Sequence, residues 1–207
     1  MSNSDILKSM GHRAYVGMID DPEIWYGVGK LQYHFLIRQG LKPHHKFLDL
    51  ACGSLRLGQY LIPYLDMGNY YGLDGEEQVV KMGIEKEFFH HIIEYKSPKF
   101  SYNYDFDFSF LTEYDFAIAQ SLFTHLTLDD IEKCFVNLAS VSGSESKFFF
   151  TFYEGSDEYN PKGPSDSHKG WRYSFGQLEK QSTSHGWKLT YIGDWSHPRN
   201  QKIVLAE

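Results

Sequence analysis

The residues best placed to do chemistry begin with Phe47-Leu48-Asp49-Leu50-Ala51-Cys52-Gly53-Ser54-Leu55-Arg56-Leu57-Gly58, where an apolar strand pattern ends in an acid and a turn of small residues. A helical pattern follows directly. Such a turn aims backbone N–H groups and a helix N-terminus at the carboxyl edge of a sheet, where open α/β folds bind ligands. The next strand pattern ends in Tyr71-Gly72-Leu73-Asp74, and Asp74 follows Gly53 by 21 residues. An acid about 20 residues beyond such a turn accepts hydrogen bonds from a ribose diol. Asp49 also reads as a solvated strand-end acid; the combination of turn, spaced acid and strand order is the stronger signal. The G-x-G-x-x-G pattern is not met, because Ala51 and Leu55 stand where glycines would let a pyrophosphate approach, and no G-K-[ST] follows. A nucleoside pocket without a phosphate cradle is what remains.

Strand-like runs at Lys46 to Leu50, Asn69 to Leu73, Phe100 to Tyr104, Tyr114 to Gln120, Lys147 to Tyr153, Trp187 to Tyr191 and Lys202 to Leu205 must position these residues. Helical spacing fills Arg56 to Leu65, Glu76 to Ile93 and Asp129 to Leu138, the last with Thr127 and Asp129 as caps. Alternation of strand and helix means a mostly parallel sheet covered on both faces. The last two strands have no room for a helix between them and should pair antiparallel. The expected fold is a Rossmann-like α/β sheet of seven strands ending in an antiparallel hairpin. Ahead of it, Asp20 to Gly40 reads as a helix with Ile24, Val28, Leu31, Phe35 and Leu36 near one face and Gly40 as its stop. Residues 1–40 are thus expected as a helical cap on a domain of 41–207, a single domain overall. The stretch from Glu154 to Arg172 is aperiodic and rich in Gly, Pro, Ser and Asp. Connections of that length are commonly lids or substrate loops.

Composition narrows the function classes. Of 207 residues, 20 are Lys or Arg and 27 Asp or Glu, a formal charge of −7, while 42% are hydrophobic and 17% aromatic. One sizeable core follows, and disorder as the whole answer does not. With no basic run to neutralise phosphates, nucleic acid is a poor partner. The apolar runs are too short to span a bilayer, and Met1 to Asp5 has neither a basic nor an apolar leader region, so a cytoplasmic protein is expected. Cys52 and Cys134 are too few for a disulfide framework or a zinc site.

S-adenosylmethionine offers an adenine, a ribose diol and an amino-acid end, and no phosphate. In four segments the chain resembles the class I S-adenosylmethionine-dependent methyltransferases: Phe47 to Arg56, Tyr71 to Asp74, Asp105-Phe106-Asp107-Phe108, and Tyr114 to Leu126 with its Ala119-Gln120-Ser121-Leu122-Phe123-Thr124-His125. It is similar more narrowly to a bacterial subgroup with a Trp-x-x-x-Gly-x-x-Gln helix, matched by Trp25, Gly29 and Gln32, and a Gly-Asp-Trp-x-His-Pro-Arg-x-Gln-Lys hairpin, matched by Gly193 to Lys202. Ala51 replaces the first glycine of that family's D/E-x-G-x-G pattern. The resemblance implies S-adenosylmethionine as cofactor and S-adenosylhomocysteine as product. It also implies that Asp49, Ala51 and Gly53 lie at the methionine end, Asp74 on the ribose, Asp105 and Phe106 about the adenine, and Gln120 and Ser121 beneath the sulfonium.

An activated methyl donor leaves the protein to align the acceptor, exclude water and, for a hydroxyl, remove a proton. His125 past the fourth strand, His168 in the long loop and His197 in the hairpin turn are the candidate bases. By the same resemblance, the amino-methylating Asn/Asp-Pro-Pro-Tyr/Phe signature is missing after the fourth strand. Gln120 stands where catechol-type enzymes place a metal-binding acid. Metal-free O-methylation of a polar small molecule such as a sugar, sugar nucleotide or phosphorylated metabolite is preferred, N-methylation second. A non-catalytic cofactor-binding partner protein is the alternative from another class, and a nucleotide-dependent oxidoreductase a third. Tyr15, Trp25, Tyr26, Tyr153, Glu154, Trp171 and Tyr173 offer rings and polar tips to the acceptor, and Arg172 and Arg199 a grip on phosphate or carboxylate.

Overall fold

The structure, a computed structural model, describes residues 22–207, with side chains from Trp25 onward. Tyr15, Ile24 as a packing side chain, and the start of the expected cap lie outside the described residues. In chain order the elements are α1 (Pro22–Arg38), β1 (Phe47–Leu50), α2 (Gly58–Tyr64), β2 (Tyr70–Asp74), α3 (Glu77–Glu87), α4 (His90–Lys96), β3 (Lys99–Tyr102), β4 (Tyr114–Ala119), α5 (Leu128–Ala139), β5 (Ser142–Glu154), a 3-10 turn (Asp157–Tyr159), β6 (Arg172–Tyr173), α6 (Phe175–Thr183), β7 (Leu189–Gly193) and β8 (Lys202–Ala206). The strand pairs β2–β3, β1–β4, β4–β5 and β5–β6 are parallel, and β5–β8 and β7–β8 antiparallel. This is the mostly parallel α/β arrangement with an antiparallel C-terminal hairpin that the element order implies. No helix among the described residues is long and apolar enough to cross a membrane.

The described residues cluster into two compact units, one of the chain up to His45 with Ala51–Asn103, the other of Lys46–Leu50 with Tyr104–Glu207. In the first, α1 ends at Gly40, whose φ of 100° suits glycine, and Leu41 N–H closes the turn on Leu36 O at 3.0 Å. Tyr33 meets the rings of Tyr60 and Tyr64 from α2 at 6.1 and 5.6 Å, which lays α1 along α2. Two helical glycines close on the turn between β1 and α2. A Cβ at Gly29 would come within 2.6 Å of Arg56 O, and one at Gly83 within 2.4 Å of Ser54 O. Backbone cannot yield as a side-chain tip does, so these glycines set how closely α1 and α3 approach the turn. Gly83→Ala gains about 1 kcal/mol of helix propensity and loses about 1–3 kcal/mol to overpacking. With backbone as the obstacle the loss wins, and a melting-temperature drop of a few degrees is expected. An unchanged or raised Tm would show that the turn is not clamped.

The helix expected over Glu76 to Ile93 is two helices. Phe88 is extended (φ −124°, ψ 145°) and Phe89 caps α4, none of whose residues is buried. Its apolar spacing continues across the break, so periodicity alone could not place it.

In the second unit β1 is buried throughout, and β4 and β5 largely so. Phe123, Phe135, Phe148 and Phe150 form a fully buried edge-to-face cluster beside Trp187, whose Nε1–H donates to Phe135 O at 3.0 Å. Thr127 caps α5 by accepting from Asp130 N–H, and Ser174 and Gln177 form a capping box on α6. β5 starts at Ser142, five residues before the expected start at Lys147. There Ser146 Oγ donates to Tyr114 O and accepts from Gly143 N–H at 2.8 Å, so a polar segment stays in the ladder.

Candidate cofactor and acceptor site

In the first unit the turn and the spaced acid meet. Ala51 and Gly53 take φ of 55° and 53°, and this left-handed winding aims Gly53 N–H at Asp74 Oδ2, 2.7 Å away. Cys52 N–H is held by Leu73 O at 3.1 Å, so the turn is fastened to the end of β2 by two bonds. Asp74 Oδ1 accepts from Glu76 N–H at 2.9 Å. Each carboxylate oxygen keeps acceptor capacity for a hydroxyl. Burial pushes the Asp74 carboxyl above its ordinary pKa, against the pull of the Glu76 and Gly53 amides. A Cβ on Gly53 would meet nothing nearer than Ala51 O at 4.0 Å, so the glycine serves conformation and leaves open space beside the turn. Tyr102 pairs in register with Asp74 and is 39% exposed, a ring beside the acid that sequence reasoning did not single out.

In the second unit Asp49 is 4% exposed, which sets aside a solvated strand-end acid. Asp105 is exposed and ion-paired with Lys133 Nζ at 2.6 Å. Phe106 is buried with φ 55°, and the carbonyls of both residues accept from Asn137 Nδ2 at 3.1 Å. Past β4, Ser121 turns with φ 63° and its N–H donates to Thr151 Oγ1 at 2.7 Å. The buried Gln120 carboxamide lies 3.2 Å from His197 Nε2 and 3.2 Å from Gln201 Oε1, and the 1%-exposed Gln201 reaches Thr151 and Ser121 Oγ at 2.7 Å. Gln201 and Thr151 had no role assigned; their signal was the Gln of the hairpin motif and a Thr inside an aromatic strand.

Hydrogen-bond chemistry ranks the three histidines. His125 Nδ1 faces Lys169 O, which only accepts, so Nδ1 carries the ring proton and the neutral ring presents Nε2 as its basic nitrogen. His197 Nδ1 faces Arg199 N–H at 3.2 Å, which only donates. Its basic nitrogen is therefore already engaged, and the ring lies stacked on Trp195 at 5.3 Å. His168 is in solvent, its side chain 88% exposed and near Asp166.

No family model matches the sequence, nor does any curated protein. Among solved structures, the chain superposes on magnesium protoporphyrin IX methyltransferase from Synechocystis PCC 6803, solved with S-adenosylmethionine, at TM-score 0.67 and 17% identity over 100% of this chain and 97% of that one. The chain has the class I methyltransferase fold. Human N-acetylserotonin methyltransferase, also solved with S-adenosylmethionine, gives 0.66 and 14% over 100% of this chain and 56% of that one. A TehB-like methyltransferase from Corynebacterium glutamicum gives 0.61 and 16% over 99% and 95%.

On this methyltransferase fold, the stretch from Glu154 to Arg172 is a fastened strap. Asp166 N–H and Trp171 N–H donate to His125 O and Thr124 O at 3.0 and 2.7 Å, and Ser165 Oγ accepts from Thr127 N–H at 2.8 Å and donates to Asp130. Tyr173 is wholly buried, its hydroxyl donating to Leu126 O and its pKa driven up by desolvation, so its ring is spent on anchoring. Tyr153 and Tyr159 flank the Arg172 guanidinium at 5.6 and 5.9 Å. Trp171 keeps a buried Nε1–H without a protein partner. Glu154 is exposed and accepts from Tyr191 Oη at 3.0 Å. Tyr26 is half-buried, its carbonyl 3.4 Å from Tyr60 Oη, and Arg199 is exposed in the hairpin turn. Among the described residues no group of three His, Cys, Asp or Glu side chains is placed to hold a metal ion.

Proposed function

We propose that the chain is an S-adenosylmethionine-dependent methyltransferase that methylates a hydroxyl of a polar small molecule such as a sugar, sugar nucleotide or phosphorylated metabolite. The observation that carries the cofactor reading is the Gly53–Asp74 hydrogen bond, which sets an acid with spare acceptor capacity against a turn that has open space beside it. Asp74 would hold the ribose diol, the turn at Ala51 and Gly53 the amino-acid end with Asp49, and Asp105 and Phe106 the adenine. When bound, the cofactor supplies a methyl group already activated as a sulfonium, so no residue has to activate the electrophile. What this chain must do is align the acceptor and take its proton. His125, with Nδ1–H committed to Lys169 O, offers Nε2 for that proton, and this tautomer is the support for a hydroxyl acceptor. Tyr26, Tyr153, Trp171 and Arg199 are the proposed acceptor contacts; Trp171 brings a buried donor that an acceptor oxygen would satisfy.

The test is calorimetry with S-adenosylmethionine, S-adenosylhomocysteine and NAD, followed by a turnover screen over sugars, sugar nucleotides and phosphorylated metabolites. Binding of NAD in place of either adenosyl ligand would overturn the reading. Adenosyl binding without turnover of any hydroxyl acceptor would favour the non-catalytic partner protein. The reading also includes metal independence: turnover should persist in EDTA, and a loss that magnesium restores would refute it.

A further inference from the structure

Gln201 and Thr151 are buried polar side chains of the second unit, 1% and 0% exposed, that none of the chemistry described above requires. The sheet brings them level with the end of β4. Ala119 pairs with Phe150, the residue before Thr151, and Thr151 pairs with Ile203, two residues past Gln201. Three hydrogen bonds then close a ring across these segments. Ser121 N–H donates to Thr151 Oγ1, Thr151 Oγ1–H donates to Gln201 Oε1, and Gln201 Nε2–H donates to Ser121 Oγ, each at 2.7 Å. Gln201 Oε1 also accepts from the Gln120 carboxamide at 3.2 Å. A carboxamide offers donor and acceptor without a charge, so the ring is satisfied with no ion to desolvate.

What the ring holds is a strained turn. Ser121 has a φ of 63°, in the left-handed region, where a residue other than glycine persists when the surrounding bonds over-determine it. Ser121 O accepts from Thr124 Oγ1 at 2.9 Å, and Leu122 O accepts from His125 N–H at 2.9 Å, so the turn leads from the ring to the backbone of His125. The same turn receives the strap, through Trp171 N–H on Thr124 O, Asp166 N–H on His125 O and Lys169 O at His125 Nδ1. The strap thus grips a turn whose shape is set from the hairpin side. We propose that Gln201, acting with Thr151, is a positioning residue that locks the turn from Ser121 to His125 and so holds the His125 ring where Lys169 O fixes its tautomer. For its meaning in the reaction this rests on the reading of His125 as the base; the lock itself is measurable without cofactor or acceptor.

The experiment is amide hydrogen exchange and ring-nitrogen NMR on the full chain with no ligand added. Gln201→Met keeps the length of the side chain and removes all its hydrogen bonds, and Thr151→Val removes the hydroxyl. Each should speed exchange of the Ser121, His125 and Trp171 amides about ten-fold or more relative to those of Ile118 and Ala119 in β4, because stranding buried partners opens that segment ahead of the rest. The His125 nitrogens should move from the Nδ1–H tautomer of the wild type toward the tautomer mixture of an unconstrained ring. Thr151→Ser, which returns the hydroxyl, should restore both readouts. Exchange that quickens equally in β4 makes Gln201 a residue of the core at large and overturns the proposal. Unchanged exchange in the turn, or a His125 tautomer that stays fixed in both variants, overturns it too. If Gln201→Met does not fold, Thr151→Val is decided by the same two measurements. Failure of the chain to bind S-adenosylmethionine would refute the cofactor reading and leave the result on the lock as it stands.

Discussion

Replacing Asp74 by Ala should weaken S-adenosylhomocysteine binding by about 2–4 kcal/mol, roughly 30- to 900-fold, because two charge-assisted hydrogen bonds to the ribose diol are lost. The substitution also strands the Gly53 and Glu76 amides that the carboxylate now receives at 2.7 and 2.9 Å. Asp74→Asn separates the two losses, since its amide oxygen still accepts one of them while the charge is gone. Unchanged affinity in the Ala variant would sink the ribose assignment. A pH dependence accompanies it. Burial raises the Asp74 pKa above the ordinary 3.8, and the hydroxyls are accepted by the ionised form. Affinity should therefore fall on acidification, starting at a higher pH than an ordinary carboxylate would produce. Stability moves the other way. A raised folded pKa means that ionisation costs the fold, so this group's contribution improves as pH falls from the folded pKa toward 3.8. Calorimetry and melting curves over a pH series, with Asp74→Asn flattening both, would check the two signs together.

His125→Ala should lower kcat by about 10²- to 10⁴-fold while cofactor affinity changes little, as expected for loss of a general base. The side chain also ties the strap through Lys169 O. His125→Asn keeps an N–H for that tie and removes the base; if it is as slow as Ala, the proton transfer is what was lost, and if it recovers most of the rate, His125 only positions the strap. His168→Ala should stay within a few-fold of the parent because the ring is in solvent. His197→Ala should act on stability, since it removes a buried ring from Trp195 and a contact from Gln120. If all three replacements leave kcat within a few-fold, histidine base catalysis is wrong and alignment, or a group such as Glu154, must drive the transfer.

The order of elements and the meeting of the Gly53 turn with Asp74 were legible in the sequence because both are local or nearly so. Apolar runs bounded by turn residues mark β1, β2, β4 and β8, and the missing helix between the last two strands dictates their antiparallel pairing. The turn at Gly53 and the acid at Asp74 sit at the ends of consecutive strands, so their spacing alone brought them within one hydrogen bond. Where side-chain pattern and backbone disagree, the sequence was silent: α3 and α4 share one apolar spacing across the break at Phe88, and β5 begins in a polar stretch stabilised by Ser146. The hydrogen-bond states of the histidines were not legible: the place of His125 just past β4 set it only slightly ahead of His168 and His197. A ring's tautomer is set by what faces each nitrogen, and Lys169 O comes to His125 from 44 residues away, Gln120 to His197 from 77. The same holds for Gln32 Oε1 and Ser54 Oγ, atoms of ordinary polar residues by type, which are shielded and unbonded where the glycines of α1 and α3 close on the turn.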